Sequence, residues 1–303
     1  MRFSKPKSHC VIPYFRAKYK QSWKLIHPSS RQGVAMDNKI MPESAKVLNM
    51  PIAKRHLSAE LLQEQFSVAY QPRQLTSSRR IVGLEIFARW EHPKYGFIPP
   101  ADFIHIAEQR DIIDQLTLQI LHQALPEFKR LLKQRPELSL SVNISPLSFQ
   151  HPNFLTSLIN ICNDYQVAPS QIILDFSESV ISDDIDGFIG LIKTFRVAGF
   201  KIALDDFGTG NVTATVVERL HLHELKVDIS VTQQLTLSKE SEFLAKAALR
   251  LARQTGALTT AEGVETEETL ELVSELGFDI IQGYQISKPM FIDELNAWLR
   301  EQN

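Results

Sequence analysis

Only two cysteines, Cys10 and Cys162, occur in 303 residues, and they form no CxxC pair. That excludes a disulfide-stapled scaffold and a thiolate zinc centre, and it fits a reducing compartment, so a cytoplasmic location is expected. No apolar run approaches the roughly 20 residues that a membrane span needs. The N-terminus carries charges but no apolar h-region, so no secretory leader is expected. Glycine-rich phosphate loops are also missing: neither GxGxxG nor GxxxxGK appears, which removes the usual dinucleotide and P-loop readings. A nucleophile elbow is absent as well, and with it the common Ser/His/Asp hydrolase arrangement.

Negative charge is scarce in one place and abundant elsewhere. Residues 1–57 hold 12 Lys and Arg against two acids, Asp37 and Glu43, whereas the rest of the chain holds 21 bases against 33 acids. Pro6, Pro13, Pro28, Pro42 and Pro51 interrupt every candidate helix in the basic stretch, so 1–57 reads as an irregular N-terminal arm. An unstructured leader is the plain reading of it. Tyr14, Phe15, Tyr19 and Trp23 among the bases keep a membrane-surface or nucleic-acid contact as the other reading. The acidic body is a poor nucleic-acid platform and suits carboxylates gathered around divalent cations.

From residue 58 to 303, short β-rich runs alternate with amphipathic helical runs. The strand candidates are Phe66–Gln71, Ile81–Arg89, Leu138–Ile144, Ile172–Phe176, Lys201–Asp205, Leu225–Asp228, Thr259–Glu262 and Ile280–Gln282. Helical spacing marks Ile112–Leu132, Phe154–Tyr165, Asp186–Ala198, Ser241–Gln254 and Glu267–Leu276. Such alternation implies a largely parallel sheet under helices, and eight strands in about 245 residues match an α/β fold of the closed (β/α)8, TIM-like type. An open doubly wound sheet is the alternative, weakened by the lack of a glycine-rich loop. Only Pro72–Arg80 joins the first two strands, too little for a crossover, so that pair is expected to be antiparallel.

Polar residues fall at the strand ends. They are Glu85 and Arg89, Asn143, Asp175 and Glu178, Asp205 and Asp206, Lys226 and Asp228, Glu262, and Gln282, on seven successive strands. Taken singly, each has an ordinary explanation: Asp205-Asp206 as a helix cap, Lys226 as a counter-charge, Asn143 as a core amide, Glu262 as a helix-start acid. Together they would need seven independent explanations, whereas a barrel brings all these ends to one face, where barrel enzymes hold their chemistry. The set is rich in oxygen and poor in histidine, which suits Mg2+ or Mn2+. Adjacent aspartates suit a two-metal cluster that cleaves phosphate esters.

At this point the residues resemble a known family. Glu85-Ile86-Phe87-Ala88-Arg89-Trp90 resembles the signature of the EAL family. The likeness extends through Tyr70-Gln71-Pro72, Ser141-Val142-Asn143, Asp205-Asp206-Phe207-Gly208-Thr209-Gly210, Leu225-Lys226-Val227-Asp228, Glu262-Gly263-Val264-Glu265-Thr266, Gln282-Gly283-Tyr284 and Ser287-Lys288-Pro289. The resemblance implies a barrel of EAL type that hydrolyses cyclic di-GMP to linear pGpG with two Mg2+ or Mn2+ ions, as a homodimer formed through the barrel. It implies Glu85, Asn143, Asp175 and Asp205 on one metal, and Asp205, Asp206 and Glu262 on the other. Lys226 would position the catalytic water, Gln282 would hold water near the metals, Gln71 and Arg89 would contact the dinucleotide, and Glu178 would anchor the loop after Asp206.

The chain departs from the family pattern in three places: Asp175 where it has Glu, Phe87 where it has Leu, and the segment Asn211-Val212-Thr213 where it has Tyr-Ser-Ser. Two functions of different class therefore stand side by side. The near-complete ligand set with Lys226 favours a phosphodiesterase. The departures favour a degenerate, non-catalytic EAL domain that acts as a cyclic di-GMP receptor or protein-binding scaffold.

Overall fold

Strand alternation sorts the residues before any helix is placed. On the central strands every second residue is apolar (Leu84 and Ile86, Leu140 and Val142, Leu174 and Phe176, Ile202 and Leu204, Leu225 and Val227), and all of these are buried in one continuous apolar core. The intervening residues on the opposite face are mostly polar or small, and they are buried too. A sheet buried on both faces, with apolar groups on one only, has to close around its polar face or fill that face with paired charges. The computed structural model, which describes residues 66–93, 95–178, 184–209 and 212–302, does both.

The strands are β1 (Ser67–Leu75), β2 (Ile81–His92), β3 (Gly96–Ile98), β4 (Ser139–Asn143), β5 (Ile172–Ser177), β6 (Lys201–Phe207), β7 (Glu224–Val227), β8 (Leu258–Ala261) and β9 (Ile280–Ile281). Their order is β1-β9-β8-β7-β6-β5-β4-β2, and a further β1–β2 pairing closes the ring. Strands β2 and β4 to β9 run parallel; β1 is antiparallel to β9, and the direction of the ring makes it antiparallel to β2 as well. Eight strands thus form the TIM-like barrel, with the first pair antiparallel as expected; β1 runs on to Leu75, so the connection is residues 76–80 and not Pro72–Arg80. Helices α1 (Pro100–Gln109), α2 (Ile113–Leu132), α3 (Pro146–Gln150), α4 (Phe154–Asp164), α5 (Ile185–Val197), α6 (Ala214–Leu220), α7 (Ile229–Thr232), α8 (Lys239–Thr255), α9 (Glu267–Leu276) and α10 (Ile292–Glu301) occupy the connections and the C-terminal stretch. Helices α8 and α9 are capped as their sequences suggest. Ser238 and Thr266 accept from the amides of Ser241 and Thr269, and Gly256 and Gly277 end the helices in the left-handed region, where glycine has no side-chain penalty.

The described chain divides into two compact units. The larger takes in Val68–Phe87 and Thr117–Asn303 and contains the barrel. The smaller includes Ala88–Leu116. In it the end of β2 pairs antiparallel with β3, Trp90 opposite Ile98, and the fully buried Trp90 ring meets Phe66 and Phe103 at 5.6 and 5.9 Å between centroids. Strand β3 and helices α1 and α10 had no counterpart in the sequence reading. The basic arm assigned to 1–57 lies outside the described residues, as does Asn211. Among the described residues no helix is long and apolar enough to cross a membrane.

Leu204 sits on β6 with no exposed surface. Leu204→Ala leaves a cavity that the packed helices cannot fill. It is expected to lower unfolding stability by about 2–5 kcal/mol, read as a drop in the denaturation midpoint; a loss below about 0.5 kcal/mol would contradict the packing described.

Candidate active site

Lys226 on β7 is the centre of the polar lumen. Its ammonium nitrogen lies 3.0 Å from Glu85 Oε2, 3.0 Å from Asp175 Oδ2, 3.2 Å from Asp205 Oδ1 and 2.7 Å from Glu262 Oε1, and it is fully buried. These four partners come from β2, β5, β6 and the end of β8. An ammonium has three hydrogens, so four carboxylates share them. Burial alone would lower the pKa of Lys226, but the attraction of Asp175, Asp205, Glu262 and Glu85 more than offsets it and holds the amine well above its ordinary range. Among these carboxylates Lys226 is held as a positive charge and hydrogen-bond donor.

Two triples of carboxylates have oxygens within 4.8 Å of one another: Glu85, Asp175 and Asp205, and Asp205, Asp206 and Glu262. Asp205 belongs to both. Adjacent residues on a regular strand point to opposite faces, so the joint appearance of Asp205 and Asp206 needs a backbone reason. The β6–β7 register shifts between Leu204 and Phe207, and Asp206 has φ +57°. This irregularity turns the second aspartate to the same side as the first, in a left-handed conformation that Asp tolerates better than most residues. The amide of Asp206 donates to Asp205 Oδ1 at 3.1 Å.

The neutral amides line the same lumen. The Asn143 side-chain nitrogen donates to Glu85 Oε1 at 2.8 Å, and Asn143 is paired in register with Asp175. Gln282 donates to Glu85 Oε2 at 2.9 Å and to Gln71 Oε1 at 3.0 Å, and Gln71 in turn donates to the Ser287 carbonyl at 3.0 Å. Two glycines make room beside the acids. A Cβ on Gly263, at φ +68°, would lie 2.0 Å from Ile229 Cγ1, and one on Gly283 would lie 2.2 Å from the Val264 carbonyl oxygen. Both follow site residues, Glu262 and Gln282, whose backbones only glycine lets pass so closely.

Glu178, just beyond β5, accepts hydrogen bonds from the amides of Gly208 at 2.9 Å and Val212 at 2.8 Å. It thereby ties residues that follow the aspartate pair. Arg89 lies in the smaller unit, four residues along β2 from Glu85. It is buried, and its guanidinium donates to the Ala88 carbonyl at 3.1 Å. Phe87 is buried on β2. The structure thus brings Glu85, Asn143, Asp175, Asp205, Asp206, Lys226, Glu262, Gln282 and Gln71 together in one lumen.

Sequence reasoning missed a further buried layer. Arg73 on β1 donates to Ser141 Oγ at 2.7 Å and pairs with Glu224 on β7, which also accepts from Thr260 Oγ1 at 2.6 Å. Arg73 and Glu224 are 1% and 0% exposed. Strand alternation was the signal for both: Glu224 stands two residues before Lys226 and Arg73 two residues after Gln71, but the first strand was read as ending at Gln71, which left the arginine in the connection.

The donor set fits divalent cations. Every candidate ligand presents oxygen. Five carboxylates gather around one ammonium, which contacts four of them, so negative charge is left over for cations to balance. Asp175 Oδ1 is buried without a hydrogen-bond partner, a costly state for a carboxylate oxygen in the absence of a cation. Burial, reinforced by Glu85 and Asp205 and opposed by Lys226 and Arg73, pushes the Asp175 carboxyl up to about 7.

Comparison with known proteins gives the family. The model of the EAL domain family matches residues 54–289. The chain is 32% identical over 238 residues to the cyclic di-GMP phosphodiesterase PA2567 of Pseudomonas aeruginosa, covering 78% of this chain and 40% of that protein. It is 31% identical over 242 residues to the bifunctional diguanylate cyclase/cyclic di-GMP phosphodiesterase MucR of the same organism, covering 80% of this chain and 35% of that one. It thus spans less than half the length of these curated relatives. Among solved structures, the PaMucR phosphodiesterase in its c-di-GMP complex superposes with a TM-score of 0.75 at 30% identity, covering 80% of this chain and 99% of that one.

The Glu178 bonds generate a local test. Hydrogen bonds to a charged acceptor are worth about 1.5–3 kcal/mol. Glu178→Ala is therefore expected to speed amide hydrogen exchange at Gly208 and Val212 on the order of tenfold to a hundredfold, with strand amides of β4 and β5 unchanged. Unaltered exchange at those two amides would remove the anchoring role.

Proposed function

The chain belongs to the EAL domain family, and from that premise we propose that it hydrolyses cyclic di-GMP to linear pGpG with two bound Mg2+ or Mn2+ ions. The observation that carries this reading is the pair of buried carboxylate triples sharing Asp205, with Lys226 in contact with both. Glu85, Asn143, Asp175 and Asp205 would hold one cation, and Asp205, Asp206 and Glu262 the other. Bound there, the cations supply Lewis-acid stabilisation of the phosphate and a more acidic water.

The protein's own groups have separable tasks. In the reaction one ester P–O bond breaks, the water oxygen takes its place on phosphorus, and the departing sugar oxygen receives a proton. Lys226, held protonated, contributes positive charge and hydrogen bonds where negative charge grows on the phosphate oxygens. The Gln71–Gln282 pair orients polar contacts at the rim of the lumen. Arg89, with a planar bidentate donor head, is suited to a phosphate oxygen of the substrate. The shortened side chain of Asp175 still reaches the cluster, at 3.0 Å from Lys226 and within the first triple. This favours the enzyme over the non-catalytic receptor.

Incubation of the purified chain with cyclic di-GMP and Mn2+, with product analysis by chromatography, is expected to yield pGpG. Glu85→Ala should abolish turnover with the fold retained, and Lys226→Ala should lower kcat by roughly two orders of magnitude with a smaller change in KM. No product from the parent chain, or a Lys226→Ala effect confined to KM, would refute this reading.

Asp175 allows a finer test. Its carboxylate is drawn back by one methylene, about 1.5 Å, whereas Mg2+ demands near-ideal distances of about 2.1 Å. A preference for Mn2+ over Mg2+ follows, and Asp175→Glu should lower the metal concentration for half-maximal activity. A midpoint that stays or rises would mean that the strand already compensates for the shorter ligand.

A further inference from the structure

Beneath Lys226 lies a second buried charge pair for which the proposed chemistry has no use. Glu224 and Lys226 are two residues apart on β7, so they project from the same face of the strand with Cα atoms about 6.6 Å apart. Glu224 Oε1 is engaged by Arg73 and Thr260, while Glu224 Oε2 is buried with no hydrogen-bond partner. Attraction from Arg73, and then from Lys226, outweighs burial and keeps the Glu224 carboxyl below its ordinary range, so it is a full negative charge next to the catalytic ammonium. A flexible lysine with a carboxylate on either side goes where the negative potential is greater. On the upper side stand Glu85, Asp175, Asp205 and Glu262; on the lower side stands Glu224, already neutralised by Arg73.

We infer that Arg73 is a positioning residue for Lys226: by neutralising Glu224 it keeps the ammonium among the metal-site carboxylates. It acts from the antiparallel strand β1 and touches no group assigned to substrate or cation. Its guanidinium reaches β4 through Ser141 and β7 through Glu224, so it fixes the floor of the lumen from two sides. Without Arg73, and with the upper carboxylates balanced by two divalent cations, Glu224 Oε2 becomes a competing acceptor and draws Lys226 away from the upper acids.

The inference rests on the functional reading above, and the test separates the two. Kinetics of cyclic di-GMP hydrolysis and calorimetric titration of the metal-free protein with Mn2+ are measured for the parent chain, Arg73→Met, Arg73→Lys and Arg73→Met/Glu224→Gln, with folding checked by thermal denaturation. In Arg73→Met, kcat is expected to fall about tenfold or more with KM within about twofold. Mn2+ is expected to bind at least as tightly as to the parent, because the competing ammonium has moved away. Arg73→Lys, which keeps the charge, and the double variant, which removes the competing carboxylate, should each recover most of the lost kcat. A merely structural brace would instead weaken turnover and Mn2+ binding together, and the double variant would be as poor as Arg73→Met; either result overturns the inference. Should Arg73→Met fail to fold, recovery in the double variant and in Arg73→Lys still decides it. A parent chain that hydrolyses nothing would sink the functional reading alone, and the inference would then stand or fall on whether Arg73→Met weakens Mn2+ binding.

Discussion

A single buried ammonium is what the remaining architecture is arranged around. Five buried carboxylates converge there, and like charges at such distances repel strongly in a low-dielectric medium. Lys226 relieves part of that repulsion and leaves the rest. A buried cluster of this kind contributes little to folding stability, since desolvation of the charges consumes most of their mutual attraction. Stability has to come from elsewhere, namely the apolar outer faces of the strands and the helices packed on them. The two faces of the same strands therefore have different duties, one for cohesion and one for chemistry.

That division explains which parts were legible in the sequence. Alternation of apolar and polar residues on Leu84-Glu85-Ile86 and Leu174-Asp175-Phe176 marks strands buried on both sides, and a short first connection marks the antiparallel pair. Strands β4 to β9 came out within two residues at each end, because Leu, Ile and Val on every second position have one physical use there, whereas β1 runs four residues and β2 three residues beyond the ends read from the sequence. The convergence of the acids needed one more step, the closure of the ring, which their location at strand ends suggested.

What stayed hidden was whatever depends on a partner far along the chain. Arg73 shares a strand face with Gln71, but the opposite charge that makes its burial tenable, Glu224, comes 151 residues later. Strand β3 is three residues long, below the length at which periodicity is readable. Asp205-Asp206 announced itself as a pair of acids, but a sequence read by strand alternation would have sent one of them outward; the register shift at β6 is a backbone fact with no composition of its own.

The same irregularity has a consequence for inheritance. Asp206 owes its place less to its chemistry than to the count of residues between Leu204 and Phe207, since one extra residue of slack brings a second side chain to the inner face. A change of one letter at this position can be undone by another change of one letter. Deleting one residue there would leave Leu204 and Phe207 opposite Leu225 and Val227 in ordinary alternation with a single inward acid between them, and no substitution at the remaining positions makes it two. Between a changed letter and a changed length at this one point, length is the less reversible step.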